Sequence, residues 1–155
     1  MNEPIDRERA SSALAAAVTD VFANMAFLDA ERLAAAGPEE GLVTRAAIDV
    51  LRPSSCRVEL RMRESLRSKI SDILYPEGVE GVGEGVPEDA LLEILNVIAG
   101  NFLTDYFGPG MEIKLELPRY LYLSGDSEGG DVIDLAFDAE GEPLRVVLSS
   151  VRYRY

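Results

Sequence analysis

Residues 89–107 read DALLEILNVIAGNFLTDYF and are followed by Gly108-Pro109-Gly110. At 100° per residue, Leu91, Leu95, Ile98 and Phe102 fall on one side, with Leu92, Ala99 and Tyr106 at its edge. The spacing predicts a helix over residues 88–107 that buries this side and stops at the Gly-Pro-Gly. The opposite side carries Asp89, Glu93, Asn96, Gly100 and Thr104 in one narrow stripe, with Val97 beside it. That stripe has no lysine or arginine, and Gly100 weakens a helix interior by about 1 kcal/mol relative to alanine. A surface that another molecule must approach closely gains from the missing side chain. The alternative is that Glu93 and Asn96 are merely solvated while Gly100 is accidental or packs against a neighbouring helix.

Working outward, Leu14, Val18, Val21, Phe22, Met25, Leu28 and Leu33 recur at steps of three and four, which predicts a first helix over 7–36 that ends at Gly37-Pro38. Residues 42–51 are rich in small and β-branched side chains, and Arg57-Val58-Glu59-Leu60-Arg61-Met62-Arg63 alternates charged with apolar. Two strands are expected here, joined through Pro53-Ser54-Ser55. In the second, Val58, Leu60 and Met62 face a core while Arg57, Glu59, Arg61 and Arg63 face out, as a solvated sheet face or a docking patch for an acidic partner. Leu66, Ile70, Ile73 and Leu74 mark a short helix over 64–75 that ends before Pro76. Residues 77–87, with Gly78, Gly81, Gly83 and Gly85, read as a linker. After residue 107, strands are expected at 112–117, 119–123, 131–138 and 144–153, the last two flanking the turn Ala139-Glu140-Gly141-Glu142. The fold class is therefore α+β, in one domain over residues 1–155. Its order is one helix, two strands, two helices and four strands, with the helices packed on a mainly antiparallel sheet.

Composition narrows the function. The 28 acidic and 15 basic residues give a net charge of −13, which repels nucleic-acid phosphates and anionic membrane surfaces. The apolar stretch 11–28 is broken by Asp20 and Asn24, so neither a membrane span nor a secretion signal is expected, and the predicted location is the cytoplasm. There is no histidine among the 155 residues, which excludes Ser-His-Asp and Cys-His catalysis and any His-containing zinc site. The lone Cys56 reads as a structural thiol. Asp126, Glu128 and Asp131 lack the spacing of a calcium loop.

The segment from Asp89 to Asn101, together with Pro118, resembles the motif of the CheC/CheX/FliY phosphatases, and among them the CheX type. In that family an Asp or Ser stands four residues before the Glu of an E-x-x-N pair. A Gly often follows the Asn by four, and a proline lies just over twenty residues on. Asp89, Glu93, Asn96, Gly100 and Pro118 occupy these places. CheC-type members carry a second Glu/Asn pair on the first helix, whereas here Asn24 is preceded at that spacing by Val21, which matches a single-site CheX.

The resemblance implies a phosphatase acting on the aspartyl phosphate of a CheY-like response-regulator receiver domain, in chemotaxis or another two-component pathway. Asn96 orients the attacking water and Glu93 pairs with a lysine of the receiver, the two forming the catalytic pair. Asp89, Val97, Gly100 and Pro118 belong to the partner-binding surface. No cofactor or metal is expected on this chain, since Mg²⁺ is supplied by the receiver. A non-catalytic CheX-like binding or scaffold module is the alternative. A homodimer through a sheet edge is also implied, for which Val147, Val151, Tyr153 and Tyr155 give the last strand an apolar edge.

Overall fold

The computed structural model describes residues 5–35, 40–75, 89–121 and 132–150. Asp6 caps the first helix, α1 (Arg7–Met25), by accepting from the Arg9 amide at 3.1 Å, which satisfies one of the donors a helix start leaves open. Its inner face is Ala10, Ala13, Leu14, Ala17, Val18, Val21 and Phe22. Helix α1 stops eleven residues short of the predicted residue 36. Phe27 takes a left-handed φ of 54°, and the Phe22 carbonyl accepts from both Ala26 and Leu28, so the chain reverses at once. Leu28 still reaches the core, which is why the helical periodicity runs on past the helix.

After the reversal comes a strand the sequence reading did not contain, β1 (Ala30–Arg32), paired with the later strand β6 (Val132–Ala139). The expected pair follows as β2 (Thr44–Arg52) and β3 (Cys56–Met62), then the helix α2 (Glu64–Leu74) and the helix α3 (Ala90–Phe107). The strands expected over 112–117 and 119–123 are shorter, β4 (Lys114–Leu115) and β5 (Arg119–Tyr120). The last strand is β7 (Glu142–Ser149). Glu140 and Gly141, at φ 51° and 92°, form the tight turn expected between β6 and β7. The linker at 77–87, the acidic loop at 124–131 and the end of the last predicted strand lie outside the described residues.

All pairings are antiparallel, in the order β1-β6-β7-β3-β2-β4, with β5 also on β2. One face is apolar: Ile48, Val50, Val58, Leu60, Met62, Val146 and Leu148 are buried. Helix α1 lies over β1 and β6, α3 over β2 and β3, and α2 beside α3. The Arg9 guanidinium donates to the Tyr106 carbonyl at 2.8 Å and lies 4.7 Å over its ring. The start of α1 therefore meets the end of α3, and the two helices run antiparallel.

Two expectations about the sheet are corrected. Glu59 was assigned to a solvated face, but it is 5% exposed, held by Arg45 at 2.7 Å and Arg61 at 2.5 Å. Burial pushes its carboxyl up, and the hydrogen bonds from the two arginines outweigh this, leaving it below its ordinary value. Asp49 likewise takes Arg57 at 2.7 Å and Arg119 at 3.1 Å. Because β3 is a central strand, arginine stems from β2 and from β3 itself cover its outer carboxylate. The outer face is thus a set of internal ion pairs. Secondly, β7 is no edge: it is bonded to β3 and β6, and Val147 is buried. It cannot offer the predicted apolar edge, and Val151, Tyr153 and Tyr155 lie outside the described residues.

Candidate functional site

The site is built around the first turns of α3. Asp89 adopts an extended backbone and caps the helix, its Oδ1 accepting from the amides of Leu91 at 3.0 Å and Leu92 at 3.4 Å. The same Oδ1 accepts from the Tyr120 hydroxyl at 2.6 Å. Burial, followed by this carboxylate, holds the Tyr120 phenol well above its ordinary value, so it stays a donor. Arg67 of α2 lies against Tyr120 and is tied to Glu64, so α2, β5 and the start of α3 share one polar cluster.

One turn into the helix, Glu93 is half-buried and its Oε2 accepts from the Tyr75 hydroxyl at 3.1 Å. Tyr75 closes α2. Asn96 follows at the next turn and is exposed, with no side-chain hydrogen bond to any described residue. Its carboxamide can both donate to and accept from a bound molecule.

Asp89, Leu92, Glu93 and Asn96 form one wall of an open groove of about 330 Å³, and Leu117 and Pro118 form the other. The structure therefore brings Asp89, Glu93, Asn96 and Pro118 together. Val97, half-buried, and Gly100 lie further along α3 and do not line the groove. An added Cβ at Gly100 would meet nothing within 4 Å. The glycine does not accommodate an internal neighbour among the described residues, and its effect is to keep that face of the helix low.

Sequence reasoning missed four residues of this arrangement. Tyr75 and Tyr120 reach Glu93 and Asp89 across 18 and 31 residues of chain, and no local pattern announces that. Leu92, placed at the core's edge by periodicity, is half-buried in the groove wall. Leu117, 86% exposed, could have been found as an apolar residue next to the motif proline. Cys56 is buried, and burial, with the Asp49 charge, pushes its thiol up to about 12, leaving it without thiolate character. Among the described residues no three Cys, Asp or Glu side chains gather as a metal-ligand set, and no helix is long and apolar enough to cross a membrane.

Three helices on one face of this antiparallel sheet give the fold seen in the CheC/CheX/FliY proteins. The chemotaxis protein CheX from Desulfovibrio desulfuricans superposes with a TM-score of 0.70 at 14% identity, over 91% of this chain and 98% of that one. CheX from Borrelia burgdorferi, in a complex with CheY, BeF3 and Mg²⁺, superposes with a TM-score of 0.70 at 17% identity, over 96% and 100%. FliY from Thermotoga maritima gives 0.60 at 12% identity, over 96% and 92%. No protein-family model matches the sequence, and no curated protein matches it.

Proposed function

We propose that this protein is a CheX-type phosphatase that hydrolyses the aspartyl phosphate of a CheY-like receiver domain in bacterial chemotaxis or two-component signalling. The observation that carries the reading is the placement of half-buried Glu93 and exposed Asn96 on one helix stripe, lining an open groove whose far wall holds Pro118. The similar CheX of Borrelia burgdorferi, seen with CheY, BeF3 and Mg²⁺, supplies the partner class.

An acyl phosphate is already reactive, so the helper gains most by fixing a water in line with phosphorus. Asn96, with no internal partner, holds that water through its carboxamide. The role is that of the glutamine that orients the attacking water in GTPases. The water oxygen bonds to phosphorus, the bond from phosphorus to the aspartyl oxygen breaks, and the water's protons leave with inorganic phosphate while the aspartate regains its carboxylate. Glu93 pairs with a cationic side chain of the receiver and sets the docking register. Mg²⁺ is the receiver's, and a receiver partner puts the protein in the cytoplasm.

The test is the decay of a phosphorylated, Mg²⁺-loaded CheY-like receiver with and without this protein. Acceleration by the wild type that falls about a hundredfold or more in Asn96→Ala, with receiver binding retained, is expected. Glu93→Ala should weaken binding and turnover together. Unchanged turnover in Asn96→Ala would sink the water-orienting role.

A further inference from the structure

We infer that Tyr75 and Tyr120 are positioning residues that preset the docking groove, Tyr75 by holding the Glu93 carboxylate and Tyr120 by tying the two walls of the groove together. The inference rests on the phosphatase reading and deepens it.

A glutamate on an exposed helix stripe has three side-chain torsions, and fixing them on docking costs part of the binding free energy. Here Glu93 is already held. Tyr75, a two-torsion aromatic packed against the core at the end of α2, donates its hydroxyl proton to Oε2 at 3.1 Å. That leaves Oε1 without a hydrogen-bond partner among the described residues, available to a cation brought by the receiver. Tyr120 acts on the walls. It stands two residues after Pro118, and its hydroxyl reaches the cap residue of α3 at 2.6 Å. One hydrogen bond therefore joins the Leu117-Pro118 wall to the Asp89–Asn96 wall. Arg67 backs Tyr120 from α2, so the second helix braces both contacts. Neither tyrosine lines the groove, so neither is expected to touch the reacting phosphoryl group.

Both act through a carboxylate, and Tyr→Phe removes only the hydroxyl while keeping the ring. The experiment is single-turnover decay of a phosphorylated CheY-like receiver, followed as a function of the concentration of this protein, for wild type, Tyr75→Phe, Tyr120→Phe, Glu93→Ala and Tyr75→Phe/Glu93→Ala. Each Phe variant should raise the half-saturating concentration about three- to tenfold, the cost of ordering on docking what the hydroxyl had held in advance. The maximal rate should stay within about twofold, since Asn96 is untouched. In the Glu93→Ala background Tyr75→Phe should change nothing further. Wild-type half-saturation in both Phe variants would overturn the inference. So would an equal loss from Tyr75→Phe with and without Glu93, which would mean that the hydroxyl acts on the fold and not on the carboxylate. The wild type alone separates the two claims: failure to accelerate receiver decay at any concentration counts against the phosphatase reading, whereas unaltered Tyr variants beside an active wild type count against the positioning role alone.

Discussion

Helices α1 and α3 are built alike and used differently. They have 19 and 18 residues, each is capped by an aspartate, and they lie antiparallel on the same face of the sheet. A tyrosine attends the start of each. At α1 the Tyr106 hydroxyl accepts from the Asp6 backbone amide at 2.9 Å, so it secures main chain. At α3 the tyrosines donate to side chains, Tyr120 to Asp89 and Tyr75 to Glu93. The same contrast appears at the E-x-x-N spacing. On α3 it gives Glu93 and Asn96, half-buried and exposed; on α1 it gives Val21 and Asn24, buried and exposed. One helix carries a glutamate and an asparagine on its outer stripe, whereas the other turns the equivalent acidic position into the core. On the proposed reading, the acidic position of the pair must lie outside the core, which Glu93 does and Val21 does not.

The strongest way to break this comparison is to write the missing residue into α1. Val21 is 3% exposed and part of the apolar core cluster, so Val21→Glu buries a carboxylate there. The expected cost is about 4 kcal/mol, read as a fall in the urea midpoint, with no second phosphatase site gained. A wild-type midpoint would mean that this face of α1 is not core. Asn24→Ala is the companion control, and turnover should be that of the wild type.

Next in size are the two caps. Asp6→Ala removes one amide acceptor and should cost about 1 kcal/mol in urea denaturation. Asp89→Ala removes the acceptor of two amides and of the Tyr120 hydroxyl, so about 2 kcal/mol is expected. Asp89→Ser separates the two duties, because a serine oxygen still caps the helix but is too short to replace the carboxylate at Tyr120. It should recover roughly half of that loss. Equal costs at Asp6 and Asp89 would show that the Tyr120 contact adds nothing to the folded state.

How far all this was legible follows from the distance over which each feature is determined. The α3 stripe, the alternation of β3 and the Glu140-Gly141 turn are local, and each was readable from spacing alone. The strand β1 was not, because Leu28 and Leu33 continue the helical period after Phe27 has reversed the chain. Glu59 was misassigned for a related reason. Alternation tells which face a residue takes, and only the neighbouring strand tells whether Arg45 will cover it. The motif residues Asp89, Glu93, Asn96 and Pro118 could be named in advance, but the groove that joins them depends on where β5 returns beside β2. The tyrosines that hold the groove belong to that tertiary layer as well.

The finest distinction between the two helices is Gly100, since α1 has no glycine in its length. Removing a side chain from a helix interior costs about 1 kcal/mol relative to alanine, and tight packing could have justified it. The structure takes that justification away, because a Cβ here meets nothing within 4 Å. Gly100→Ala should therefore stabilise the isolated protein by roughly 0.5–1 kcal/mol, a small rise in the urea midpoint. If the low surface serves the approach of a receiver, the same variant should also raise the half-saturating concentration in the receiver decay assay. Stabilisation with unchanged half-saturation would leave Glu93, against Val21 on α1, as the side-chain difference that matters along the stripe. Stabilisation together with weaker docking would extend the functional stripe of α3 one further turn, past the groove.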